Sequence, residues 1–320
     1  MMDRVLITGG LGYVGGRIAE YLSRDNDLHL SIGTRRDEIA VPDWIENNDV
    51  VKMDLTSHMS LENACAGVRY VIHLAGLNEI DSAKDPEKAL VVNGHGTLRL
   101  LRAAEKAGVE RFIYFSTAHV YGKPLEGRIT EQSVPRPVHP YAITHRVAED
   151  FVLAAYDSGS LTGMVLRLSN AFGAPNSLYA NRWTLIANDL CRQAVERRTL
   201  TLRSSGMQQR DFITLEDVGK AVAHFLRLQR SECEDGLFNL GGECSMRIID
   251  LAELVASRCV DVLGFSPVIR RAKPVGDEVP EALEYSIDKA KATGFVVTGD
   301  ANEEIDSTLH FCKHTFGRSE

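Results

Sequence analysis

Glycines at fixed spacing carry the plainest chemistry in this sequence. In Thr8-Gly9-Gly10-Leu11-Gly12-Tyr13-Val14-Gly15, Gly9 permits a tight turn and Gly12 lets backbone N–H groups approach a ligand. Gly15 lets the helix that follows pack on the strand before it, and the N-terminus of such a helix suits a pyrophosphate. An apolar run precedes the turn and a second strand ends about 20 residues on, the context this motif requires. A glycine-rich turn without a ligand is the alternative. The second strand ends in Ser31-Ile32-Gly33-Thr34-Arg35-Arg36, where an acid would bind the ribose hydroxyls of NAD. Guanidiniums there suit a 2′-phosphate, so NADP is the expected cofactor and NAD the second choice. The competing picture is a solvated arginine pair held by Asp37 and Glu38. Asp54, after the third strand, either accepts from an adenine amino group or caps a helix.

Positioning these residues takes strands and helices in alternation. Residues 4–8, 28–33, 68–74, 111–116 and 164–168 read as strands, with amphipathic stretches at 13–25, 90–107 and 141–156. This order predicts an α/β fold, a doubly wound parallel sheet of the Rossmann type. A smaller substrate-binding lobe should be interleaved with it: 1–169, completed by 212–241, binds the dinucleotide, and 170–211 with 242–320 binds the substrate. Residues 170–176 read as a loop, 183–197 as a helix, and a short strand at 211–213 with a helix at 218–228 as a return to the sheet.

The 320 residues are 44% hydrophobic and 25% charged, ordinary for a globular protein. With 36 basic against 44 acidic residues the net charge is −8, which disfavours nucleic acid as a partner. No run of 18 apolar residues occurs, so no membrane-spanning helix is expected. The N-terminus turns to glycine after three apolar residues, unlike a signal peptide. The six cysteines are scattered without Cys-x-x-Cys, and read as buried thiols of a reduced cytoplasmic protein with no metal site.

Residues 8–15, His73-Leu74-Ala75-Gly76, Asn93-Gly94-His95-Gly96-Thr97, Phe115-Ser116-Thr117-Ala118-His119-Val120-Tyr121-Gly122 and Tyr141-Ala142-Ile143-Thr144-His145 together resemble the extended short-chain dehydrogenases/reductases. These are nucleotide-sugar epimerases, dehydratases and 4-ketoreductases. The resemblance implies a nicotinamide cofactor, with Leu55, Leu74, Ala75, Gly76 and Asn93 beside it, and a homodimer joined through helices near 98–107 and 141–156. It implies that Thr117 polarises the reacting oxygen and that Tyr141 exchanges the proton, assisted by a lysine four residues later. Here His145 stands in the lysine's place, on the same helical face as Tyr141. A neutral imidazole supplies less charge than an ammonium. His145 substitutes, protonated or bonded to the ribose, or binding has outlived chemistry, or another group takes over; Arg146, about 100° round the helix, is a poor replacement.

The family's dehydratases carry an acidic pair where this chain has Ala118 and His119, so elimination by that route is not expected. His119 is either an acid/base beside the sugar or a packed strand-end histidine. The resemblance places Asn170 and Arg210 on the substrate diphosphate, which a guanidinium grips in a fork. For Arg210 the alternative is an ion pair with Glu216 or Asp217. Arg271 is the nearest match to a second phosphate contact, although the following Lys273-Pro274-Val275-Gly276-Asp277 does not align. Trp44, Tyr179 and Trp183 read as packing residues. The expected activity is 4-keto reduction or epimerisation of a nucleotide-linked sugar. The rival is a catalytically impaired dinucleotide- or nucleotide-sugar-binding protein, a sensor or scaffold.

Overall fold

The computed structural model describes residues 2–37, 42–45, 48–176, 180–273 and 282–317. The main sheet contains β1 (Asp3–Thr8), β2 (Leu28–Thr34), β3 (Asp49–Lys52), β4 (Tyr70–His73), β5 (Arg111–Thr117), β6 (Thr162–Leu168) and β7 (Leu237–Leu240). All seven are parallel, in the spatial order β7-β6-β5-β4-β1-β2-β3. Such strands are buried on both faces, which is why they read as apolar runs rather than alternations. Alternate side chains still serve different layers. Ile7 and Phe238 pack with the helices Tyr13–Leu22 and Leu215–Arg227, whereas Leu6 and Phe112 pack with Gly96–Ala107 and Pro140–Ser158. Strand order runs outward in both directions from β1 and β4, so their carboxyl ends open a crevice.

One directional hydrogen-bond chain closes the floor of that crevice. Thr8 Oγ1 accepts from the amides of Leu74 and Ala75 (both 3.1 Å) and stands 2.6 Å from His73 Nδ1. On the other side, Thr97 Oγ1 lies 2.9 Å from His73 Nε2 and donates to the Asn93 carbonyl at 2.5 Å. Thr97 has spent its proton on that carbonyl, so His73 Nε2 is the donor and Nδ1 accepts from Thr8. Burial drags the His73 pKa down to about 3, which keeps the ring neutral and the chain intact.

The helix expected over 90–107 divides in two. Leu90–His95 is a π-turn and Gly96–Ala107 is α-helical. Asn93 lies within the π-turn; its Oδ1 accepts the Leu77 amide (2.7 Å) and its Nδ2 donates to Thr144 (3.1 Å). The strand expected to return to the sheet near 211–213 does not. Gln209–Thr214 pairs instead with Asn170–Phe172, expected to be loop, and with Ser245–Arg247. Phe212 and Phe172 thereby enter a separate core with the helices Ile186–Arg197, Ile248–Leu263 and Ala301–Phe316. The first of these begins at Ile186 rather than 183, because Trp183 is drawn against Phe311 and Phe316. All six cysteines are free; five are buried and Cys244 is half-buried.

Glu149 and Arg167, both 0% exposed, form a bidentate ion pair (3.0 and 2.7 Å), and Ser116 Oγ donates to Glu149 at 2.5 Å. Removing one member strands the other charge in a medium that cannot solvate it. Urea unfolding of Glu149→Gln should therefore show a loss of about 3–5 kcal/mol, while Glu149→Leu with Arg167→Met should lose markedly less. A second outcome follows from His73. Its pKa is depressed on folding, so the unfolded chain binds more protons below pH ~6.5 and stability falls as pH drops from there towards 3. In denaturation from pH 6 to 4.5, His73→Asn should reduce the slope of stability against pH by up to about 1.4 kcal/mol per pH unit.

Candidate active site

The glycine turn is built by contact. Gly9 has φ +71° and a Cβ there would lie 3.0 Å from the Ala75 nitrogen; at Gly15 a Cβ would lie 2.3 Å from the Gly9 carbonyl oxygen. Gly12 occupies the N-cap of the Tyr13–Leu22 helix and no side chain caps it. The first-turn amides therefore remain for an anion, and the cradle fits a dinucleotide pyrophosphate. Tyr13 and Val14 belong to this cradle through their backbone alone. The Tyr13 ring is buried, with its hydroxyl shared between the Gly173 carbonyl (2.9 Å) and Asn188 Oδ1 (3.1 Å).

At the end of β2, Arg35 and Arg36 are exposed. Asp37 is taken by Lys52, which also donates to the Arg35 carbonyl at 2.7 Å; Glu38 lies outside the described residues. Asp54 accepts from the amide and hydroxyl of Thr56 (both 2.8 Å), and these bonds, aided by Arg35 and Lys52, hold its carboxyl below the usual range. The helix cap considered for Asp54 is Ser57 instead. Leu55 is buried beneath this edge, and Gly76 lies so close to Asn93 that a Cβ would stand 2.9 Å from its Oδ1.

Thr117 ends β5, and its Oγ1 accepts the His119 amide at 3.2 Å. Tyr141 is the second residue of the Pro140–Ser158 helix, whose cap, His139, accepts the Tyr141 amide on Nδ1 at 3.2 Å. The His145 ring stands edge-on to Tyr141, centroids 4.3 Å apart, with Nδ1 2.6 Å from the Tyr114 hydroxyl. Burial keeps Tyr114 protonated, so it donates and His145 keeps its proton on Nε2. Burial also lowers the His145 pKa to about 4, against a smaller opposing pull from the Phe115 carbonyl. This corrects the reading in which a protonated His145 replaces the ammonium: the ring is neutral at pH 7. Tyr141 is pushed up to about 12 by burial, while Arg182 pulls it down and Glu79 pushes it up.

His119 faces the cleft. Partial enclosure, with the nearby charges of Arg210 and Lys123, keeps it below its ordinary value. Ala118 is buried and brings no proton-transfer group. Asn170 donates to the Asp211 carbonyl at 2.9 Å, so part of its amide is committed to the small sheet. The ion pair weighed for Arg210 does not form. Glu216 pairs with Lys220 at 2.7 Å, and Asp217 binds Thr214 and the amides of Thr298 and Gly299. Among the described residues no hydrogen bond or ion pair holds the half-buried Arg210 guanidinium. Arg271 donates to the Ser205 carbonyl at 2.8 Å, while 274–281 and Tyr179 lie outside the described residues. Sequence reasoning missed Glu79, Tyr114 and Arg182, which belong to no motif and meet only through the fold. Among the described residues no cluster of His, Cys, Asp or Glu is placed to hold a metal, and no helix is long and apolar enough to cross a membrane.

The family model described as "NAD dependent epimerase/dehydratase family" matches residues 5–241. Mouse (Mus musculus) dTDP-D-glucose 4,6-dehydratase is 28% identical over 98% of this chain and 89% of its own length. The UDP-glucose 4-epimerase of Thermus thermophilus, solved in complex with NAD, superposes with a TM-score of 0.79 at 25% identity, covering 97% of this chain and 99% of that one. RMD from Pseudomonas aeruginosa, complexed with NADPH, gives a TM-score of 0.77 at 22% identity over 98% of this chain and 100% of that one. That family model spans well over half of the sequence, and the chain belongs to the NAD-dependent epimerase/dehydratase family.

Proposed function

We propose that this chain is a nicotinamide-dependent enzyme acting on a nucleotide-linked sugar, by 4-keto reduction or by epimerisation. The observation that carries the substrate class is Arg210. A half-buried guanidinium without a carboxylate partner among the described residues, beside His119, is a waiting counter-charge for an anion, and a nucleoside diphosphate supplies one with the fork geometry arginine prefers. Residues 1–169 with 215–241 form the dinucleotide half in this reading, and 170–214 with 242–320 the substrate half, because the 209–214 strand joins the smaller sheet.

The cofactor, when bound, supplies or accepts hydride at the sugar carbon. Thr117 donates a hydrogen bond to the reacting oxygen, and Tyr141 gives or takes its proton. His119 faces the same cleft and assists at a sugar hydroxyl. Elimination is left out because Ala118 has no acid to protonate a leaving hydroxyl. His145 positions the Tyr141 ring rather than charging it.

For the cofactor, the end of β2 favours NADP(H): Arg35 and Arg36 are exposed there, and Asp37, the acid that follows them, is engaged by Lys52. The solved relatives hold NAD or NADPH, so the edge residues decide. In parallel calorimetric titrations NADPH should bind at least tenfold more tightly than NADH, about 1.4 kcal/mol, and Arg35→Ser with Arg36→Ser should erase the difference. A preference for NADH moves the reading to an epimerase, and a cofactor that binds tightly without turnover of any keto-sugar moves it to a sensor. Arg210→Ala should weaken nucleotide-sugar binding tenfold or more without changing cofactor affinity.

A homodimer is part of the proposal. Leu90 and Val91, 50% and 47% exposed on the π-turn, and Ile143 and Phe151, 44% and 39% exposed on the 140–158 helix, make an apolar face that includes the second of the two helices where the family pattern places its partner. Light scattering should give a dimer, and Val91→Glu with Phe151→Glu should reduce it to a monomer.

A further inference from the structure

Tyr141 is left without a cation on its own helix. His145 is neutral, and Arg146 is turned away into ion pairs with Asp150 (2.5 Å) and Glu149 (3.3 Å). A buried phenol in that setting holds its proton too tightly to exchange it near neutral pH.

A charge does arrive, from the other lobe. Arg182 pairs with Glu79 at 2.9 Å across the cleft, and its side chain is only 24% exposed. Its backbone is fixed: the Arg182 amide donates to the Ala180 carbonyl at 2.9 Å, and Ala180 is buried in a cluster with Tyr13 and Leu215. Glu79 opens the Glu79–Lys84 helix and lines one hollow with His139, the residue whose imidazole accepts the Tyr141 amide. The ion pair thus stands beside the first turn of the helix that carries Tyr141. Among the described residues, the groups set about that phenol are His145 from its own helix, Tyr114 from β5, Glu79 and Arg182, while the cap residue His139 touches its amide. Of these, only Arg182 brings positive charge, and its field at Tyr141 opposes that of Glu79.

We propose that Arg182, held across the cleft by Glu79, is the positioning cation of Tyr141 and takes the part the family pattern gives to the lysine. The inference rests on the enzymatic reading above and deepens it. Glu79 mutes the charge while the ion pair stands; a substrate that draws Glu79 aside would leave Arg182 acting on the phenol alone.

The test uses opposite signs. Tetranitromethane attacks tyrosine as the phenolate, so the nitration rate of Tyr141 at pH 8, read by peptide mass spectrometry on the full chain without cofactor, follows its ionised fraction. Arg182→Met should slow nitration of Tyr141 about tenfold, the effect of one pKa unit. Arg182→Lys should restore most of it, and Glu79→Gln should speed it, with the other tyrosines as internal controls. If the pair were only a structural latch, both Arg182→Met and Glu79→Gln would loosen the cleft and raise nitration together, which would overturn the proposal. So would a rise in KM in Arg182→Met with Tyr141 nitration unmoved, which would make Arg182 a substrate contact. In the enzymatic assay the pH dependence of kcat should shift upward in Arg182→Met and downward in Glu79→Gln. A wild-type chain that turns over no substrate removes the enzymatic reading, while the nitration series still decides on Arg182.

Discussion

The catalytic end of this molecule is organised around a carboxylate that water never reaches. Glu149 accepts from Ser116 on β5, from Nε and Nη2 of Arg167 on β6, and lies eight residues along the helix from Tyr141. A bare charge in that place would be prohibitive, so the three elements are bound to keep their mutual geometry or lose it all at once. Thr117 is the residue after Ser116, and Tyr141 stands on the same rigid helix as Glu149. Their relation is thereby set from underneath, by a pair neither of them touches. The Arg167 guanidinium also covers the Tyr121 ring, at 4.6 Å, and Tyr121 and Tyr285 both bond Asn239 on β7. The same charge therefore reaches the outermost strand of the sheet.

Above that base, the polar side chains are matched by proton direction rather than by charge. His73 passes a hydrogen bond from β1 to the helix of Asn93, and His145 receives one from Tyr114; burial keeps both rings neutral. Neutral rings have one donor and one acceptor each, so each imposes a single sense on its partners. That suits a scaffold, and it removes the imidazole beside Tyr141 as a source of positive charge. Lys123 and Arg210 act on His119 and Arg182 acts on Tyr141; of these charges Arg182 and Arg210 come from outside the 1–169 segment. In the proposed reading, Tyr141 and Arg182 meet only when the two parts of the chain are packed together.

What the sequence made readable was local. The glycine turn, the apolar strands and the shared face of Tyr141 and His145 depend on spacing within a few residues, and spacing is visible without coordinates. The partner of Gln209–Thr214 was hidden because a short apolar strand carries no mark of which sheet it joins; Phe172, forty residues earlier, decides it. The π-turn at Asn93 keeps the apolar pattern of an α-helix and shows itself only through the extra residue. His145 was identified by its position, but its protonation state depends on Tyr114 and on burial, which no motif encodes. Arg210 was singled out by its motif, yet that no ion pair holds it among the described residues emerged only once Glu216 and Asp217 were seen to be engaged elsewhere.

The helix that follows the glycine turn is also the helix that holds Gly173, Ala174, Asn176, Asn188 and Glu304. Beside the bare N-terminus at Gly12, Tyr13 reaches Gly173 and Asn188, Arg17 binds the Ala174 carbonyl and Glu304 at 2.8 and 2.7 Å, and Asn176 donates to the Gly16 carbonyl at 2.7 Å. These contacts cross between the parts of the chain within two turns of the phosphate cradle. In the proposed reading, a shift of that helix on binding a dinucleotide presses first on Gly173, Ala174, Asn176 and Asn188, which flank Arg182 in the chain. On that reading, cofactor and substrate sites share the packed side chains of one short helix. The cation proposed for Tyr141 lies in the same stretch of chain that this helix anchors.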